Sequence, residues 1–174
     1  CGSQHQGVEP DIMVMAKGIA NGAPVGATVT TDEIAHLWKG KHISTFGGNP
    51  VSMAALCATQ DELHRHKAPQ NARQRGDRLN AALKEMQVRH PWMGDVRGMG
   101  LMQAIEVVKD PISKEPDLER TRKLLEASRE EGVLVGLGGL YGTVVRIGPS
   151  LLITEQEMAE GIEKLGRAVD RVGS

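Results

Sequence analysis

Five consecutive apolar residues, Ile12-Met13-Val14-Met15-Ala16, run without polar alternation and end on Lys17-Gly18. Successive strand side chains point to opposite faces, so an unbroken run of this kind predicts a strand covered on both sides, as in the sheet of an α/β protein. It delivers a lysine into a turn bounded by Gly18 and Gly22, and no other lysine precedes Lys39. An ammonium at the end of a buried strand is costly, because desolvation disfavours the charged form and lowers its pKa from a reference of about 10.4. Such a lysine can serve as a nucleophile toward a carbonyl compound. It can equally lie along the surface with its head in water.

Covering layers for that strand are hard to find nearby. Residues 1–60 carry only Glu9, Asp11, Lys17, Asp32, Glu33, Lys39 and Lys41 as charged side chains, and every arginine lies from Arg65 onward. The chain starts in a polar turn without Met, which predicts the C-terminal part of a longer protein. At 174 residues it is long enough for one ordinary domain or two small ones. A net charge of -1 with mixed signs supplies no field for nucleic acid or an acidic membrane, and 2% aromatic content argues against base stacking. Cys1 and Cys57 form neither a metal spacing nor a disulfide framework, which favours a reducing compartment. No apolar run reaches membrane-spanning length and no secretory signal opens the chain. The expectation is a cytoplasmic protein, or a mitochondrial one if a targeting segment lies upstream.

Along the chain, residues 1–10 read as loop, 12–16 as strand, 17–23 as a glycine-broken turn and 24–30 as a second strand. Thr30 and Glu33 have capping-box spacing for a short helix over 32–38. Ser44-Thr45-Phe46-Gly47-Gly48-Asn49-Pro50 predicts a helix start with Asn49 as N-cap and Pro50 at the first helical position. The unpaired N–H groups there, with Ser44 and Thr45 beside them, could cradle a phosphate or could simply begin a helix. That helix runs to His66; His64 and His66, two apart, face different ways and make no metal pair. A boundary falls at 67–70. Ala72, Gly76, Leu79, Leu83 and Met86 then mark the core face of a helix over 71–89. Strands are expected at 96–99 and 101–108, a helix over 117–131 with Leu118, Leu124 and Leu125 inside, and strands at 133–135 and 143–147. The run Gly136-Leu137-Gly138-Gly139-Leu140-Tyr141-Gly142 is no dinucleotide fingerprint, because Tyr141 stands at the third glycine and no helix follows. In the last strand Arg146 alternates with Val145 and Ile147, an arginine embedded among apolar residues that needs a carboxylate partner, from this protein or from a substrate. Thr154-Glu155-Gln156-Glu157 caps a final helix with Met158, Ile162, Leu165, Val169 and Val172 on one face.

Several of these segments carry a resemblance. Pro10-Asp11-Ile12, Ala16-Lys17-Gly18-Ile19-Ala20-Asn21-Gly22 and Pro24-Val25-Gly26-Ala27 are similar, without gaps, to the cofactor-lysine segment of the class III aminotransferases, pyridoxal-phosphate enzymes of fold type I. The similarity continues through Ser44 to Pro50, Val96 to Met102 and Val145 to Thr154, and spans about Gly7 to Leu165. It implies an α/β fold, with residues 1–68 as the C-terminal part of a large mixed-sheet, cofactor-binding domain and 69–174 as a connecting helix and small α+β domain. It implies that Lys17 carries pyridoxal 5'-phosphate as a Schiff base. Thr45, with Ser44 beside it, would contact the cofactor phosphate bound mainly by the other subunit of a homodimer with shared active sites, or of a tetramer built from such dimers. Arg146 would hold the substrate carboxylate. The wording of Gly94 to Met102, Asp110 to Ser113 and Arg146 to Ser150 is most similar to the alanine:glyoxylate branch. The donor would be alanine or an omega-amino acid, and the acceptor glyoxylate, pyruvate or 2-oxoglutarate. The family's phosphate-binding glycine-serine segment, its ring-stacking aromatic and its aspartate for the pyridine nitrogen would all lie before Cys1. The chain alone is therefore expected to be inactive; the alternative readings are a non-catalytic truncated fragment or dimerisation module, or a class III member of the 4-aminobutyrate or ornithine type.

Overall fold

In the computed structural model, which describes residues 2–173, the chain divides into two compact units in sequence between His66 and Lys67. Cys1 lies outside the described residues; Cys57 is an exposed free thiol.

The first unit holds α1 (Gly2–His5), where the sequence suggested only loop, and a two-stranded antiparallel ribbon of β1 (Ile12–Met15) and β2 (Ala27–Thr30). Ile12 faces Thr30 and Met15 faces Ala27 across the ribbon, and Thr30 Oγ1 donates to the Asp11 carbonyl at 2.9 Å. Because Thr30 is engaged there, the cap of the short helix α2 (Asp32–Ala35) falls one residue later than expected, with Thr31 accepting from the Ile34 N–H. The strand expected to be buried on both faces is not: Ile12 and Val14 are 53% and 74% exposed, and Val29 on the opposite face of the ribbon is 54% exposed. A two-stranded ribbon supplies neither of the layers that the apolar run calls for. The 16-residue helix α3 (Pro50–Arg65) completes this unit, with Asn49 and Pro50 in the cap positions expected.

The second unit places three helices, α4 (Ala68–Arg89), α5 (Leu118–Glu130) and α6 (Glu155–Gly173), on an antiparallel four-stranded sheet in the order β3-β4-β6-β5. The strands are β3 (Met93–Met99), β4 (Met102–Val107), β5 (Gly136–Gly138) and β6 (Val144–Ile147). Strand alternation sends Ile105, Val107, Val145 and Ile147 into one core with Leu79, Leu83, Leu124, Leu165 and Val169. Leu124 is fully buried and Leu125 partly so, but Leu118, at the helix start, is half exposed. The strand expected at 133–135 is displaced to β5. Gly132, at φ 83°, ends α5, and the Val133 N–H turns back to the Ser128 carbonyl at 2.8 Å, so Val133 is consumed by the helix exit. Among the described residues no helix is long and apolar enough to cross a membrane.

Candidate functional site

β1 is followed by an extended residue, Ala16, and the backbone then reverses hand: Lys17, at φ 57°, opens a 3-10 turn over Lys17–Ala20 that closes at Asn21, φ 48°. The left-handed region costs an L-residue about 1–2 kcal/mol, so a lysine there is held by its surroundings. The Asn21 N–H donates to the Gly18 carbonyl and the Ala23 N–H to the Ala20 carbonyl, at 3.2 and 3.1 Å. Ala20 is buried, and the Gln60 side chain of α3 donates to the Ile19 carbonyl at 3.0 Å. The Lys17 side chain itself is exposed, beside a shallow groove lined by Gly18, Gly22, Ala23, Pro24 and Val25. The burial on which the sequence argument leaned is therefore not supplied by this chain.

The second segment is built on the start of α3. Asn49 Oδ1 accepts the Ser52 N–H at 2.9 Å, while Asn49 Nδ2 donates to the Phe46 carbonyl at 2.9 Å and ties the loop to the helix. Ser44 Oγ accepts the Gly47 N–H at 3.0 Å, which ties this hydroxyl to the turn and leaves its O–H to donate elsewhere. Thr45 is exposed, and its hydroxyl has no hydrogen bond among the described residues. The lysine turn and this loop thus hang on one helix, α3, the first through Gln60 and the second through Asn49.

Arg146 stands in the second unit. It is exposed rather than embedded, because β6 turns it to the sheet face opposite the three helices. Its neighbour on β4 is Ala104 and its partner on β5 is Gly136. The acids on this face are already engaged: Arg97 Nη1 lies 2.7 Å from Asp95 Oδ2 and 2.6 Å from Glu106 Oε2, and these bonds hold the Arg97 guanidinium above its ordinary pKa. Arg146 has no ion pair among the described residues.

Two positioning features escaped the sequence reading. Gln60 lies one turn after Leu56 on the inward face of α3, and a polar residue at that spacing was the available signal. Gly136 and Gly138 alternate at strand period, which distinguishes them from loop glycines. By its chemistry the exposed Lys17 amine can condense with an aldehyde, and the unengaged Thr45 hydroxyl can donate to a phosphate oxygen.

The family model for Aminotransferase class-III matches residues 2–169. The chain is 39% identical over 172 residues to alanine--glyoxylate aminotransferase 2 homolog 2, mitochondrial, of Arabidopsis thaliana, covering 98% of this chain and 36% of that protein. It is 36% identical to the taurine--pyruvate aminotransferase of Bilophila wadsworthia, covering 98% of this chain and 41% of that one. Its fold superimposes on a Bacillus anthracis aminotransferase with a TM-score of 0.91 at 35% identity, over 98% of this chain and 41% of that chain. The chain spans about two fifths of the length of the proteins it matches, and within that span its mixed α/β architecture is that of fold type I. By an almost end-to-end match in sequence and a close match in fold, the chain belongs to the class III aminotransferases.

Proposed function

We propose that this chain carries the lysine and the carboxylate-binding arginine of a pyridoxal-phosphate-dependent transaminase. The enzyme moves an amino group from alanine or an omega-amino acid to a 2-oxo acid such as glyoxylate, pyruvate or 2-oxoglutarate. The observation that carries the reading is Lys17: an exposed amine on a left-handed backbone, closed by its own turn and anchored to α3. Asn21, Lys67 and Lys114 share the left-handed backbone, so it is the coincidence of that conformation with an exposed amine in the lysine segment that supports the reading.

When bound, the cofactor supplies a ring that draws electrons from the carbon bearing the amino nitrogen. Lys17 Nζ would hold its aldehyde carbon covalently and, as a free amine, would carry a proton to and from the substrate carbon. Thr45 Oγ1 would donate to a phosphate oxygen, and the resemblance assigns that phosphate mainly to the partner subunit of a homodimer. Ser44 keeps the loop in register through the Gly47 N–H. The planar fork of Arg146 binds the substrate carboxylate and fixes the orientation of the substrate. The reading carries an intracellular setting with it, cytoplasmic, or mitochondrial as in the name of the Arabidopsis relative.

The test is covalent. Protein treated with pyridoxal phosphate, reduced with borohydride and digested is expected to carry the label on the Lys17 peptide, and Lys17→Ala to lose it. Label spread evenly over surface lysines, or none at all, would favour the non-catalytic dimerisation module instead.

A further inference from the structure

The glycine run after α5 is left unexplained by the reading above, and the structure gives two of its members a task. Gly136 and Gly138 form most of β5, and neither has a left-handed φ, whereas Gly139 and Gly142 do, at 81° and 66°. Their backbone would accept an L-residue, yet glycine inside a strand weakens it by roughly 0.5–1 kcal/mol relative to alanine. What these two positions supply is room. A Cβ at Gly138 would stand 3.1 Å from Arg146 Cδ and 3.2 Å from Nε, and one at Gly136 would stand 3.5 Å from Nη2. The Arg146 side chain therefore lies down across β5 on a floor with no side chains. On its other flank β4 offers only the methyl of Ala104, and the nearby acids Asp95 and Glu106 are occupied by Arg97.

We propose that Gly136 and Gly138 are positioning residues that determine specificity for carboxylate-bearing amino donors. By leaving β5 bare they set how low the Arg146 guanidinium rides on the sheet, and so where a substrate carboxylate must sit to meet both of its N–H edges. This rests on the reading of Arg146 as the carboxylate anchor. The two distances grade the effect. At Gly138 an added methyl is tighter than an ordinary contact and displaces the stem of the arginine; at Gly136 it makes an ordinary van der Waals contact.

The experiment compares L-alanine with 2-aminopropane, which differ by a carboxylate against a methyl group, as donors for the holoenzyme. In parallel, the Arg146 Nε–H resonance is followed by NMR during titration with propionate. For Gly138→Ala we expect the KM for L-alanine to rise about tenfold with kcat nearly unchanged. Kinetics with 2-aminopropane should not move, and propionate affinity at the Arg146 resonance should fall about tenfold. Gly136→Ala should follow the same pattern with a smaller shift. Gly139→Ala, at a left-handed φ and with its Cβ 2.5 Å from Val144 Cγ2, should instead lower the melting temperature and disturb both donors alike. If Arg146→Ala loses carboxylate preference and propionate binding while Gly138→Ala matches the wild type in both, the glycine inference is overturned and the reading of Arg146 stands. Should Arg146→Ala also leave both unchanged, that reading fails and takes the inference with it. A Gly138→Ala protein impaired equally on the two donors marks β5 as scaffold only, and overturns the inference as well.

Discussion

Lys17 is costly where it stands, and one side chain outside its turn helps to hold it. Gln60 donates to the Ile19 carbonyl from α3, across 41 residues of sequence. Gln60→Ala removes that bond and leaves a partly buried carbonyl without a partner, a loss of about 1 kcal/mol. The turn should loosen before α3 does. Amide exchange at Asn21 and Ala23, whose N–H groups close the turn, is expected to quicken about fivefold, with α3 amides such as that of Leu56 unchanged. Equal rates at Asn21 in variant and wild type would show that something else holds the lysine. Glycines elsewhere separate into two kinds at this same scale. A methyl at Gly76 would overlap the backbone carbonyl of Gly100, where α4 crosses the β3–β4 turn, and neither backbone can give way. Gly76→Ala is expected to destabilise by about 3 kcal/mol. Gly161, in α6, has nothing within 4 Å of a Cβ, so Gly161→Ala should stabilise by roughly 0.5–1 kcal/mol through the lost backbone freedom of the unfolded chain. Urea unfolding of the two variants against the wild type measures both signs.

Helix α6 shows how much of an element a sequence can state in advance. The capping box read from Thr154 and Glu157 is present in full: Glu157 Oε2 accepts from the Thr154 N–H and from its hydroxyl, each at 2.8 Å, and Thr154 Oγ1 accepts the Glu157 N–H at 3.2 Å. These bonds, the backbone N–H first and the hydroxyl second, favour the carboxylate and hold Glu157 below the ordinary glutamate range, about 4.3. Because the folded value is the lower one, the unfolded chain takes up the proton first. The stabilisation is complete above the ordinary range and is lost as pH falls through the depressed value. Exchange protection at the start of α6, at Glu157 and Met158, should hold steady from about pH 7 to pH 5 and decline on further acidification. Glu157→Gln should flatten that decline, and an unchanged acid profile in the variant would remove Glu157 as its cause. The helices were legible because caps and 3.6-residue periodicity are local signals, down to the buried stripe of α4 from Gly76 to Met86. β5 was not legible: a three-residue strand that is two-thirds glycine has no apolar alternation to read, and its identity comes from pairing with Val144 and Arg146. Among the site residues, Lys17 and Arg146 stood out by their place in apolar runs, while the exposure of both is a property of what packs around those runs.

At the scale of the chain the two units differ in kind. From Lys67 onward one core is closed, with Leu83, Ile105, Leu124, Val145 and Val169 fully buried between three helices and a sheet. Up to His66, Ala20 and Ser52 are the only buried residues among those described, while Ile12, Val14, Leu37, Trp38, Ile43 and Phe46 stand more than half exposed. Burial supplies roughly 25 cal/mol per Å² of apolar surface, and conformational entropy opposes ordering at about 1–2 kcal/mol per residue. A unit that buries so little cannot offset that entropy by itself, so its hydrogen-bonded ribbon and lysine turn should be the low-stability end of the molecule. In the 174-residue chain, hydrogen exchange is therefore expected to report two levels. β1 and β2 amides such as those of Val14 and Val29 should exchange through small openings and respond weakly to urea. Amides of β4 and β6, such as those of Ile105 and Val145, should exchange only by global unfolding of their unit, with a steep urea dependence. The same difference bears on chemistry. If pyridoxal phosphate attaches to Lys17 as proposed and the closed turn is the form that holds it, its addition should slow exchange at Asn21 while leaving Val145 untouched. Exchange at Asn21 as slow as at Val145 without any addition would mean that the first unit is held as firmly as the second, and the stability argument from burial would be wrong.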